Sequence, residues 1–386
     1  MFHSRRRVLR NAGVALLGGV AGCSSRGTDT DSPPSTPTES ATPSQSETPT
    51  DEPIPKVNEA SCENRWEPTT QWSMLEGTRS YPPATLAGQA VFAAGSRLYA
   101  VDVATGKTVW TSERYSFSGA TTTNGSTVAV PDTTGVSAFD PDGSERWRVE
   151  PEGDRHRILA TASEGDTLYL SVSVSGSEIP SSEEYDRVHA LDWETGEQQW
   201  AVPVGDPNGS TPAKDLLAAK GYLYAAVTGG YTVALSTATG ETRWEHDTGF
   251  GASRLAIAGN TLVRFADDAI GLASDTGAVR WRQPLDGGLA GGRYIYGRVD
   301  DVLVALDPKR GIPIWRTRLP ESGEPSGISI LDSTLYASIG DELYALDEAT
   351  GCHLGSVTAG DALAVTDNRL VTTDFSRGGV RAFSRP

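Results

Sequence analysis

Cysteine is scarce, with three in 386 residues, at positions 23, 62 and 352, which excludes a fold stapled by many disulfides. No C-x-x-C-H occurs, so nothing in the chain attaches a c-type haem. His156, His189, His246 and His353 each stand alone, without a second His or Cys at ligand spacing, and no metal site is legible. No G-x-S-x-G or phosphate-binding glycine loop is present, and the paired acids Glu183-Glu184 and Asp267-Asp268 read as solvated loop charge. Lysine is rare too: five of the 33 basic residues, against 50 acids, for a net charge of −17. Nucleic acid and anionic membrane surfaces both reward a basic patch, none is visible, and both are disfavoured as partners. The apolar run from Ala12 to Gly22 is too short to span a bilayer.

What the chain does have is a repeat. LYAVDVATGKTVW (Leu98 to Trp110) returns as VSAFDPDGSERW (Val136 to Trp147), VHALDWETGEQQW (Val188 to Trp200), TVALSTATGETRW (Thr232 to Trp244), AIGLASDTGAVRW (Ala269 to Trp281) and LVALDPKRGIPIW (Leu303 to Trp315). A degraded copy spans Leu343 to Gly355, and a truncated one, VRAFS, spans Val380 to Ser384. Each copy alternates apolar residues into a half-buried strand, turns at Asp-x-x-Thr-Gly, and ends in a second strand carrying Trp, which makes it a β-hairpin. Asp102, Asp192, Asp307 and Asp347 precede their turn glycines by four residues, where a short carboxylate accepts backbone N–H bonds. The glycine supplies the positive φ that other residues resist. A carboxylate repeated in unit after unit is a turn support, not a catalyst. The tryptophans are expected to fill the gaps between neighbouring sheets, each indole N–H finding a carbonyl.

Residues 1–23 read as a targeting segment, outside the fold. Ser4-Arg5-Arg6-Arg7-Val8-Leu9-Arg10 is similar to the twin-arginine export motif, with Arg5 and Arg6 as its signal pair, and the apolar run follows. Val20-Ala21-Gly22-Cys23 is similar to a lipobox, which makes Cys23 the lipidation site. Residues 24–60 are rich in Ser, Thr, Pro and Glu and are expected to form a disordered tether, because they cannot bury enough apolar surface to offset ordering. Residues 61–386 are left for one domain.

Trp72 lies one repeat length before Trp110 with no complete hairpin ahead of it, while the last copy ends before its Trp strand. The spacing therefore predicts an all-β, eight-bladed propeller of four-stranded antiparallel blades, closed when Gln71-Trp72-Ser73 pairs with Val380 to Phe383. Closure removes exposed strand edges that an open array would leave. Seven blades is the alternative if the seventh or eighth unit is not a blade.

The pattern Ala100-Val101-Asp102-Val103-Ala104-Thr105-Gly106 through Trp110 resembles the PQQ-like (pyrroloquinoline-quinone-like) β-propeller repeat, shared by quinoprotein dehydrogenases and BamB-type lipoproteins. The acidic, Lys-poor composition together with the export signal resembles exported lipoproteins of halophilic archaea. Ser236 and Ala273 replace the turn Asp, Arg310 the Thr, and Gly355 a Trp; blades five and seven are expected to be less regular. A dehydrogenase of this kind implies an adjacent Cys–Cys pair and a Ca²⁺ ligand set; the chain has no Cys–Cys pair. The expectation is a protein without catalysis, cofactor or metal.

Cys62 and Cys352 form an even pair in an exported protein and are expected to be disulfide-bonded, stapling the ring closure beside Gly355. Asn124 and Asn208 head N-glycosylation sequons. The longest repeat interval carries a surplus at residues 176–187, and its Glu183, Glu184 and Tyr185 are the candidate partner loop. The resulting expectation is a monomeric propeller, lipid-anchored on the extracytoplasmic face of the cell membrane, that binds membrane or cell-surface proteins. A PQQ-dependent dehydrogenase and a sugar or small-ligand sensor at the channel mouth are the alternatives.

Overall fold

A computed structural model describes residues 6–9, 57–58 and 66–385, apart from 113–120, 152–155, 175–185, 206–210, 248–253, 267, 292, 321–324, 361, 367–368 and 375–377. Every element among them is a β-strand. Eight antiparallel four-stranded sheets follow one another: 84–111, 122–151, 156–203, 213–247, 254–283, 286–318, 325–358, and 362–384 completed by Thr70–Met74. The predicted eight-bladed propeller is the observed one. The seven-bladed alternative is not.

Closure falls where the repeat count places it. Thr70–Met74 runs antiparallel to Val380–Ser384, with Trp72 opposite Ala382, Ser73 opposite Arg381 and Met74 opposite Val380. Two short segments lie outside the ring of blades: Val57–Asn58 runs parallel to the outer strand of blade six, Val57 opposite Arg316, and Arg6–Leu9 runs parallel to that of blade two.

The Asp-x-x-Thr-Gly turns are built as their chemistry requires. Asp102 Oδ1 accepts from the Thr105 N–H (2.8 Å) and hydroxyl (2.6 Å), and Asp192 and Asp347 repeat both bonds. Those bonds, that of the Thr105 hydroxyl foremost, hold the Asp102 carboxyl below its ordinary pKa. Gly106 sits at φ 69°, and a Cβ there would lie 2.6 Å from the Trp72 ring. The turn glycine is thus needed twice: for its backbone, and for the indole of the preceding blade that lies against it. That indole donates its N–H to the same blade, as Trp72 does to the Val103 carbonyl (2.9 Å), Trp147 to Trp193 (2.9 Å) and Trp315 to Glu348 (2.9 Å).

Blade five is not irregular, contrary to expectation. Around Ala273 the turn keeps the backbone bonds Gly277 N–H to Ala273 O and Ala273 N–H to Ala278 O, both 2.8 Å, matching those around Asp102. The backbone closes the turn and the carboxylate only reinforces it. Asp102→Ala is accordingly expected to cost about 1 kcal/mol, the value of a typical hydrogen bond, in urea unfolding without loss of the fold.

In blade seven the missing Trp is supplied from elsewhere. In blades three, four and six a second-strand Tyr lies against the blade's own Trp, as Tyr169–Trp200 (5.8 Å), Tyr224–Trp244 (6.0 Å) and Tyr296–Trp315 (5.9 Å). The corresponding Tyr336 meets Trp66 instead, edge-on at 6.2 Å. Trp66 is 5 % exposed; its backbone N–H binds the Leu354 carbonyl (2.8 Å) and its indole N–H the Ser384 carbonyl of blade eight (3.1 Å). Gly355 is small because a Cβ there would overlap the Trp66 carbonyl.

Candidate functional site

With strands alternating in direction, the links between blades and those joining second to third strands emerge on one face of the ring, and the remaining hairpin turns on the other. Inner strands begin at the first face, and those of blades three, four, six and seven bulge there: the register shifts between Ile158 and Ala160, Ala213 and Asp215, Asp286 and Gly288, and Pro325 and Gly327. An inserted residue of this kind re-aims side chains at the rim of a sheet.

Two of these bulges frame a cleft of about 140 Å³, lined by Pro131, Ile158–Thr161, Lys214 and Asp215. Lys214 is exposed and Asp215 half-buried. The Asp215 carboxylate accepts the N–H of Leu216 (3.0 Å) and of Leu255 in blade five (2.7 Å). Burial pushes its pKa from 3.8 up to about 6, against the pull of those two bonds and of Arg254. The folded chain therefore keeps this proton between pH 3.8 and 6 while the unfolded chain has released it, so stability falls as pH rises through that window. At 1.36 kcal/mol per unit the cost reaches about 3 kcal/mol above pH 6. Asp215→Asn is expected to flatten that part of the pH–stability curve, read by urea unfolding from pH 3.5 to 7. An unchanged curve would mean that the carboxyl is not held this way.

Acids of the same face serve the backbone. Asp132 accepts from Thr134 N–H (2.7 Å) and Gly135 N–H (2.9 Å) and pairs with Arg148 at 2.9 Å. Buried Arg264 and Arg298, 0 % and 2 % exposed, sit in the second strands of blades five and six. Neither was legible beforehand, because each occupies an ordinary strand position.

Of the residues singled out in the sequence, Arg5, Cys23, Cys62, Glu183, Glu184, Tyr185 and Asn208 lie outside the described residues, and Arg6 opens the strand beside blade two. Cys352 is disulfide-bonded. Asn124 is exposed on a hairpin turn, its side-chain oxygen accepting from Ser126 and Thr127 N–H (2.9 and 2.8 Å). His189 is buried in blade three against Gln198 (3.0 Å), and burial lowers the pKa of His246 and His353.

Among the described residues no three His, Cys, Asp or Glu side chains stand close enough to hold a cation. Of the side chains gathered at the cleft, the Asp215 carboxylate binds backbone N–H groups.

Ring, repeat and indole-to-turn contacts define an eight-bladed β-propeller. A family model described as outer membrane protein assembly factor BamB matches residues 132–302. The chain is 27% identical over 267 residues to outer membrane protein assembly factor BamB of Burkholderia pseudomallei, the match covering 62% of this chain and 66% of the relative, just under two thirds of the latter's length. The crystal structure of BamB from Moraxella catarrhalis superposes with a TM-score of 0.60 at 17% identity, covering 81% of this chain and 100% of that one. A europium-containing methanol dehydrogenase superposes at 0.62 with 12% identity, over 82% and 93%. Both structures share the fold, and at such identities they speak to nothing more.

Proposed function

We propose that the protein is a non-catalytic propeller, tethered to a membrane on its extracytoplasmic side, that scaffolds other proteins. The observation that carries this reading is the similarity to a relative named as an assembly factor over 62% of the chain. Export through Arg5 and Arg6, lipidation at Cys23 and a tether over residues 24–60 belong to the same proposal. They rest on the order of twin arginines, apolar run and lipobox in the sequence. Cys62 is proposed as the partner of Cys352, and Asn124 and Asn208 as acceptors of sugar. The assembly role in an outer membrane belongs to the relatives; a host without such a membrane would employ the scaffold on its own surface.

The test is crosslinking and pull-down from native membranes, comparing the intact protein with one lacking residues 176–187. One stoichiometric membrane or surface partner, lost with Glu183, Glu184 and Tyr185, is the expected result. Absence of any partner, with a quinone and Ca²⁺ titration producing a bound-quinone absorption, would replace the scaffold by the dehydrogenase reading.

A further inference from the structure

The outer strands form the rim of the ring, and their charge is not spread evenly. Blade five ends in Val279–Gln283 (VRWRQ) and blade six in Pro313–Arg318 (PIWRTR), neither containing an acid, in a chain of net charge −17. Blade two also carries two rim arginines, but Arg146 pairs with Asp140 (2.6 Å) and Arg148 with Asp132 (2.9 Å). On blade five Arg280 and Arg282 are both exposed; among the described residues Arg280 reaches only the Thr261 hydroxyl (2.5 Å), a neutral group. Beside them Val279 is 42% exposed, one of two large apolar side chains so open among the described residues.

The same strand is an edge. Among the described residues Val279–Gln283 pairs only inward, with Ala269–Ala273, and turns its other row of backbone groups outward. The next blade shows what this rim accepts. Val57–Asn58 lies parallel along Arg316–Thr317, and Arg316, one residue past its Trp, holds the place that Arg282 holds past Trp281.

We infer that the outer edge of blade five, Val279–Gln283, is a strand-addition site for an acidic, extended segment of a partner protein. Backbone hydrogen bonds to the free edge supply affinity, and carboxylates on alternate residues of the guest meet Arg280 and Arg282, which flank Trp281 on one face of the strand. An acidic guest would be repelled by most of this protein's surface, so the charge also sets where it lands. The inference rests on the scaffold reading and sharpens it to one edge and one chemistry of partner.

The probe is a fluorescein-labelled decapeptide alternating Val and Glu, titrated by anisotropy against the full chain. Three controls accompany it: a Val/Lys peptide, a Val/Glu peptide N-methylated at alternate residues, and the variants Arg280→Glu/Arg282→Glu and, as a milder change, Arg282→Gln. Binding of the Val/Glu peptide is expected to weaken at least tenfold in the double variant, several-fold in Arg282→Gln and at least tenfold on N-methylation, and to fall with added salt. Equal binding of the Val/Lys peptide, or affinity unchanged by the arginine substitutions, would overturn the site. Affinity unchanged by N-methylation would overturn strand addition. A protein that captures a partner from membranes yet fails this titration loses the edge and keeps the scaffold role.

Discussion

Gly355→Trp, which restores the Trp of the repeat, is expected to destabilise the protein by about 3 kcal/mol, at the upper end of the cost of overpacking a core. The space that such a side chain fills in the other blades is already occupied by Trp66, whose carbonyl a Cβ at 355 would overlap. Trp66→Ala is expected to cost about 3–5 kcal/mol, as large-to-small changes of a buried aromatic do. It leaves Tyr336 and Phe383 facing a void and removes the bond to the Ser384 carbonyl that ties blade seven to blade eight. The double variant separates the Trp66 carbonyl from its indole as the obstacle. Trp66→Ala leaves the backbone carbonyl of residue 66 in place, so the combined loss in urea unfolding should stay close to the sum of the single losses. A combined loss well below the sum would mean that the indole, not the carbonyl, is what excludes a side chain at 355.

The second large effect is expected at Cys352. Its disulfide places a covalent bond at the turn leading into the outer strand of blade seven, two residues before Leu354, whose carbonyl receives the Trp66 N–H. Cys62 stands between Asn58, on the edge of blade six, and Trp66, on blade seven, and is therefore the proposed partner. Cys352→Ala or reduction is expected to cost about 2–5 kcal/mol, as loss of a native bridge does, and to do so by loosening the segment that brings Trp66 into place. Guanidinium unfolding with and without reductant measures the cost. Non-reducing peptide mapping identifies the partner, and a free Cys62 thiol would dispose of the pairing.

The ring was legible because each blade repeats one local instruction. Asp102, Thr105, Gly106 and Trp110 lie within nine residues of one another, and the interactions that matter are either inside the hairpin or with the next copy along. Even the closing strand could be placed, since Trp72 kept the repeat's spacing. Trp66 could not be placed that way. It lies six residues before Trp72, too close for a repeat, and its role depends on a contact with residues near the other end of the chain. Gly355 was the available signal: a vacancy in one copy beside an unassigned Trp upstream. The regular turn at Ala273 was misjudged for a different reason, because the backbone bonds that close it leave no trace in side-chain identity. At the channel mouth, Asp215 and Lys214 are invisible in sequence since a bulge, not a motif, brings them there. The rim arginines were hidden by a net charge that averages over the whole chain.

Closure of the ring also has a timetable. Trp66 and its acceptor at Ser384 are 318 residues apart, and the strand Thr70–Met74 has no strand to pair with until Val380–Ser384 has been made. At a synthesis rate of about 5–20 residues per second, the first-made strand waits on the order of tens of seconds with its pairing edge open. Seven blades can stack in order behind it, each upon the last. The nascent chain must therefore keep this one ribbon from finding a substitute partner, its own late blades or another molecule's, until Val380–Ser384 has left the ribosome and the circle can be sealed.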